Sequence, residues 1–190
     1  MSKKQCPWCV GDALYEKYHD LEWGVPVYDD KTLFEFLILE SFQAGLSWIT
    51  ILKKREHFRK AFDHFEVEKV AHYSEEKIQE LLQNPGIIRN KLKVRSAVSN
   101  AQAFIEIQKE YGSFSKFIWN YVNHKAIQNK VEDYTTAPPT TPLSEKMSKD
   151  LKKRGFKFVG PTVIYAYMQA VGMVNDHEVS CFRHQEVQVS

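Results

Sequence analysis

The chain has only three cysteines, Cys6, Cys9 and Cys181, in 190 residues. An odd number cannot all pair internally, which excludes the disulfide framework that holds many small secreted domains together. No apolar run approaches the roughly 18 residues needed to cross a bilayer, and the polar start, Met1 to Gln5, has no signal-peptide core. These absences predict a cytoplasmic protein with reduced thiols and no membrane partner. Charge of one sign is missing too: 26 Lys and Arg face 24 Asp and Glu, a formal net charge of +2. Total charge therefore does not announce a nucleic-acid partner. Neither an internal repeat nor a coiled-coil heptad is present, and alternating strand patterns are scarce.

What is there is helical spacing over a large apolar content. With 43% hydrophobic and 13% aromatic residues, the chain can bury a core without disulfides or a partner, most simply as one compact domain over residues 1–190, with two small lobes as the variant. Leu33, Phe34, Leu37 and Ile38 mark one helical face, and Trp48, Ile51, Leu52, Arg55, Phe58 and Phe62 the next. Helix starts are signalled at Asp29-Asp30, Ser47, Ser74, Ser113 and Ser144. Stops fall at the turn Gln43-Ala-Gly-Leu46, at Asn84-Pro-Gly86, at Gly112 and at Gly172. The Pro-rich stretch from Glu132 to Pro142 reads as an extended connection. The expectation is an all-α fold of about eight helices.

Charge is clustered even though it cancels in total. Fifteen of the 26 basic residues lie in Lys53 to Lys60, Arg89 to Arg95 and Lys146 to Lys157, whereas acids concentrate from Asp63 to Glu80. Each run alone suits an ordinary solvated helix face; together they leave a positive surface if they converge.

Four potential metal ligands lie near the ends, Cys6 and His19 at one, His177 and Cys181 at the other. The i, i+4 spacing of the last pair would put both on one helical face. Thiolate with imidazole suits zinc, and four protein ligands leave no open position for a reactive water, which points to a structural ion. Cys9 leaves an alternative open, because Cys6-Pro-Trp-Cys9 is a C-x-x-C pair with either a redox role or a substitution of Cys9 for Cys6.

The segment Leu151 to Val163 carries Gly155 and Gly160 around a short turn between a basic helix and an apolar one, with Lys157 in the turn and Pro161 placed for a first helical turn. Glycines there admit close backbone approach, and the following helix offers unpaired N–H groups to a phosphate. The plain alternative is a capped αα-hairpin. Finally, Glu40 stands in an apolar helix amid Trp8, Tyr15, Tyr18, Trp23 and Trp48. It either turns to solvent or is held inside to answer a flat cationic ligand stacked on the aromatic walls.

The hairpin, about residues 144–171, resembles the helix-hairpin-helix of DNA repair glycosylases, although Phe156-Lys-Phe-Val159 between the glycines departs from that pattern. Tyr18-His-Asp-Leu-Glu-Trp-Gly-Val-Pro26, Leu39-Glu-Ser-Phe-Gln-Ala-Gly-Leu-Ser-Trp-Ile-Thr-Ile-Leu-Lys-Lys-Arg55, Gly155-Phe-Lys-Phe-Val-Gly-Pro161 and Val174-Asn-Asp-His177 closely resemble the bacterial DNA-3-methyladenine glycosylase I family, in order from about Cys6 to Cys181, nearly the whole chain. The resemblance implies a single structural zinc held by Cys6, His19, His177 and Cys181, and a base pocket in which Tyr18 and Trp48 sandwich the purine, Glu40 accepts its hydrogen bond and Trp8 and Tyr15 complete the wall. It implies DNA contacts at Gly45, Leu46, Gly155, Lys157 and Gly160. The expected partner is double-stranded alkylated DNA bound by a monomer, with an abasic site and free 3-methyladenine as products. No motif places a lysine for a Schiff base, so the expected enzyme is monofunctional. Asp176, beside His177, is expected to be structural, which leaves the water-activating group unassigned. The competing expectation is a noncatalytic, zinc-stabilised DNA-binding module.

Overall fold

A computed structural model of the chain describes residues 3–43 and 45–188. Ten α-helical segments are found among them: α1 Ala13–Leu21, α2 Asp30–Gln43, α3 Trp48–Ala61, α4 Val67–Ala71, α5 Glu75–Gln83, α6 Lys91–Tyr111, α7 Phe114–Trp119, α8 Pro142–Lys153, α9 Pro161–Ala170 and α10 Phe182–Glu186. The all-α expectation holds. Ten segments stand where about eight were expected, and the shortest, α4 and α10, are five-residue turns too short to show a periodic pattern. Two strands of two residues, β1 Ile127–Gln128 and β2 Val174–Asn175, pair in parallel with Ile127 opposite Val174. They tie the connection after α7 to the segment after α9.

The local signals act as caps. Asp12 accepts from the backbone of Leu14 and Tyr15, Ser74 from Lys77, Asn90 from Leu92 and Lys93, and Ser113 from Lys116, each pairing N–H groups that a helix start leaves free. Ser47 precedes α3 as expected, but its hydroxyl pairs with Thr50 Oγ1 instead of the backbone. The start of α8 differs from expectation. Thr141, not Ser144, is the cap, Pro142 takes the first position, and Ser144 reaches back to the Thr141 N–H in a capping box. Pro142 needs no partner for its missing N–H, which moves the start three residues upstream.

The centre of the molecule is α2, buried from Leu33 through Phe42 on every side. It packs against α3, α6, α7 and α9, so the amphipathic face seen in the sequence is part of a helix with no solvent face over that span. Asp30 at its start accepts from the backbone of Phe114 and Ser115 and from Gln108, joining α2 to the α6–α7 corner. Arg55 of α3 reaches Glu35 of α2 at 2.6 Å and Glu22, just past α1, at 2.6 Å. One buried guanidinium thus ties together the three helices that carry the site. Ala44, in the expected turn after α2, lies outside the described residues. The long connection from Glu132 to Pro142 is mostly irregular, as expected, with one short turn at Tyr134–Thr136.

Candidate active site and metal centre

On α1, Tyr18 and His19 are successive residues about 100° apart on the helix, so they serve two different places. His19 points to the chain ends, where Cys6, His19, His177 and Cys181 are all buried with one donor atom each lying within 4.8 Å of one another. Such a cluster can hold a metal ion. The outer nitrogens are committed: His19 Nδ1 lies 2.7 Å from Asp20 Oδ1, and His177 Nε2 donates to the Trp23 carbonyl at 2.9 Å. That leaves His19 Nε2 and His177 Nδ1 facing inward as lone-pair donors to an ion. Between the two thiols, Cys181 is pulled far down by hydrogen bonds from Cys6, His177 and His19, and Cys6 is pushed far up by the neighbouring sulfur and by burial.

Two sequence readings are revised here. His177 and Cys181 do not share a helical face: they lie in turns between β2 and α10, where Cys181 N–H bonds the Glu178 carbonyl at 2.8 Å. The turn brings Sγ of Cys181 to 3.8 Å from Nδ1 of His177 all the same. Cys9 stays outside the cluster. Its Sγ donates to the Cys6 carbonyl at 3.2 Å, and burial pushes its thiol up to about 12, which removes the reactive thiolate a redox role needs.

Tyr18 faces the other way, into a slot of about 190 Å³ whose walls include Trp8, Tyr15, Trp23, Trp48, Tyr134 and Gln169 around Glu40. Glu40 is 3% exposed, so it does not turn to solvent. Burial pushes its carboxyl from the ordinary 4.5 to about 8, and the acid is neutral at pH 7. Trp8 lies edge-on to Tyr15 at 4.8 Å and to Trp23 at 5.0 Å. The indole N–H groups of Trp8 and Trp48 are buried without a partner, unused donor capacity beside the acid. Tyr18 and Trp48 stand 5.6 Å apart, tilted by 49°. A flat ring stacked between them needs about 7 Å, twice an ordinary carbon contact, so Trp48, at the first turn of α3, must swing outward to admit one.

The turn between α8 and α9 is pinned from behind. Asn100 of α6 accepts from Lys157 N–H at 2.8 Å and donates to its carbonyl at 3.0 Å, and the Ser148 hydroxyl donates to Val159 O at 2.6 Å. Gly155 has φ +95°, which a side chain would strain. Gly160 caps α9 at an ordinary φ of −61°, and an added Cβ would meet nothing within 4 Å, so no contact inside the protein requires a glycine there. Phe158, at φ +54°, is 36% exposed at the tip. Gly45 has φ +84° and Leu46 is 38% exposed.

The basic runs are partly consumed inside the protein. Arg55 and Arg59 pair with Glu35, Arg95 with Glu75 and Arg154 with Glu110, and Lys93 donates to the Phe42 carbonyl. A larger cavity of about 510 Å³, between Tyr121 and Arg154, lies away from Glu40. Its Tyr121, Asp150, Lys146 and Arg154 are paired with neighbours already. Sequence reasoning missed Tyr134, Gln169 and Asn100. Tyr134 arrives from a loop and left no local signal, whereas Gln169 is a polar residue in an apolar helix, the same signal that drew notice to Glu40.

As a class, then, this is a mostly helical protein with an aromatic slot around one neutral acid, beside a separate cluster of four side chains that can hold a metal ion. Comparison with known proteins supplies the particular family. A family model described as methyladenine glycosylase matches residues 8–184. DNA-3-methyladenine glycosylase 1 of Escherichia coli (strain K12) is 47% identical over 178 residues, 94% of this chain and 95% of that protein. The structure of 3-methyladenine DNA glycosylase I from Staphylococcus aureus superposes with a TM-score of 0.91 at 41% identity, covering 96% of this chain and 97% of that one. A structure of a 3-methyladenine DNA glycosylase I variant in complex with 3-methyladenine does so with the same score and identity, over 94% and 96%. The chain belongs to the methyladenine glycosylase family.

Proposed function

We propose that the protein is a DNA repair glycosylase that takes 3-methyladenine out of alkylated duplex DNA and hydrolyses its glycosidic bond, leaving an abasic site without strand cleavage. The observation that carries this reading is Glu40: a lone carboxyl, desolvated and neutral, enclosed by aromatic rings in a member of this family. Alkylation at N3 makes the adenine cationic. Entry of a cation favours the ionised form of Glu40, so the slot gains an ion pair and ring-face attraction that neutral adenine does not provide. Tyr18 and Trp48 stack on the base, with Trp8 and Tyr15 closing the wall. The charged base is already a good leaving group and needs no proton from the protein.

Grip on the duplex is assigned to the α8–turn–α9 unit acting as a helix-hairpin-helix, with Gly155, Lys157 and Gly160 along a phosphate strand and Gly45 and Leu46 facing the gap left by the flipped nucleotide. The ion is zinc, held by Cys6, His19, His177 and Cys181. Tetrahedral zinc with ordinary Zn–S and Zn–N bonds separates its ligand atoms by about 3.3–3.8 Å. The cluster has 3.2 Å between His177 Nδ1 and His19 Nε2, 3.5 Å from Cys181 Sγ to His19, and 3.7 and 3.8 Å from the two sulfurs to His177. Four protein donors fill that coordination, so the ion supplies a crosslink between chain ends. The protein acts as a cytoplasmic monomer of one domain.

The test is incubation with methylated duplex DNA while free 3-methyladenine is followed by chromatography, for wild type and Glu40→Gln. Release by wild type and its loss in the variant are expected. Wild-type binding without release would instead identify a noncatalytic DNA-binding module.

A further inference from the structure

The slot does not end blind. A second cavity of about 530 Å³ shares Gln43, Tyr134, Ala166 and Gln169 with it, so the two volumes adjoin at those four residues, the neck between them. The outer chamber is bounded by Gly45 and by Thr162 and Val163 in the first turn of α9, the segments turned toward DNA in the function proposed above, on which this inference rests. A nucleotide whose base lies against Glu40 then has its sugar in the chamber. The bond between them falls at the neck.

Of the four neck side chains, Ala166 is apolar and Gln43 Nε2 is engaged with the Leu46 carbonyl at 2.7 Å. Burial pushes the Tyr134 phenol up to about 12, leaving it a neutral hydroxyl. Gln169 is different because its amide has a fixed direction. Nε2 donates to Asp176 Oδ2 at 2.8 Å, and a carboxylate only accepts, so the amide cannot reverse. Asp176 is 1% exposed and is itself held by Tyr165 at 2.6 Å and Asn129 at 2.6 Å. The N–H side of the same amide also meets the Tyr134 phenol oxygen, so Oε1 of Gln169 is left as the acceptor, with no hydrogen bond to it found among the described residues.

We propose that Gln169 holds the attacking water at the neck, its Oε1 accepting a water proton while Asp176 keeps the amide turned that way. The C1′–N9 bond breaks with its electron pair going to the base, which cancels the positive charge of the alkylated ring. The water oxygen donates a lone pair to C1′, and the surplus proton leaves to solvent through the chamber. An oxocarbenium centre reacts with neutral water, so placement suffices and no strong base is required. Asp176 is a positioning residue in this scheme.

Single-turnover excision and affinity for free 3-methyladenine, read by tryptophan fluorescence, test the assignment in wild type, Gln169→Leu and Gln169→Glu. The leucine variant should lose about 30-fold in rate with base affinity unchanged within about twofold, the scale of losing one positioning contact. The glutamate variant keeps an acceptor oxygen at the same position and should stay within about fivefold of wild type. A merely structural role reverses that order, because a second carboxyl beside Asp176 disturbs the network more than leucine does. Full rate in the leucine variant, equal losses of rate and base affinity, or a glutamate variant slower than leucine would each overturn the proposal. Gln169→Met, with a side chain of similar length, replaces leucine if that variant fails to melt cooperatively. Wild type that binds duplex but releases no base refutes the glycosylase reading itself.

Discussion

Replacing Glu40 by glutamine removes one proton-binding group and almost no volume, so the energy stored in that carboxyl is measurable. Burial holds it at about 8 in the folded chain against an ordinary 4.5. Below 4.5 the acid is protonated folded and unfolded alike, and it costs nothing. As pH rises from 4.5, the unfolded chain gains by ionising while the folded one cannot, and folded stability falls until the pH passes 8, where the penalty levels off. At 1.36 kcal/mol per pH unit the deficit is about 1 kcal/mol at pH 5, about 3 at pH 7 and about 4 at pH 8. Glu40→Gln should therefore be more stable than wild type by a margin that widens over this window, even as it loses base release. Urea unfolding of both metal-loaded proteins at pH 5, 6, 7 and 8 reads the margin directly, since titrations common to both cancel in the difference. A margin that stays constant with pH would refute the reasoning, because it would mean that the folded slot already holds an anion.

Other consequences are equally accessible. Cys181→Ser should lower bound metal, measured by atomic emission, and shift melting downward, because one of four donors is replaced by a weaker ligand; unchanged metal content would refute the proposed clasp. Asn100→Ala removes both bonds that pin Lys157 and should weaken duplex binding by roughly 5–10-fold, about 1–1.5 kcal/mol, with affinity for free 3-methyladenine unchanged. A fluorescence anisotropy titration checks it, and equal loss of both affinities would contradict the assignment. Arg55→Met removes one of the two guanidinium partners of the buried Glu35 carboxylate and leaves Arg59 as the other, and should cost about 1–3 kcal/mol in urea unfolding. A loss below about 1 kcal/mol would show that Arg59 alone satisfies Glu35.

Much of the fold is legible in the sequence because helix ends are local chemistry. Asn90, Ser74 and Ser113 cap within three residues of themselves, and Gly112 stops α6 at φ +84°. Ser144 misleads because the capping box uses it at the third position, where the same hydroxyl serves a neighbour's start. His177 and Cys181 show the opposite case: spacing suggests a helix, a turn provides the distance, and the donor set survives the wrong geometry. The site is less legible where partners are far apart in sequence. Asn100 and Lys157 are 57 residues apart, and Tyr134 reaches the slot from an irregular connection. Nothing near either residue marks it. Glu40 and Gln169 are visible as polar residues in apolar helices, but only packing decides that both are turned inward.

The alternation along α1 has an evolutionary consequence. Tyr18 faces the slot and His19 the metal cluster, with Trp8 and Cys6 divided the same way one segment earlier. Inserting or deleting one residue within α1 ahead of Tyr18 would turn both side chains by about 100° in the same sense, so neither would reach its site. Length in this stretch is therefore under stricter constraint than composition: substitutions at the exposed positions Lys17 and Leu21 are tolerable drift, whereas a change in residue count is not.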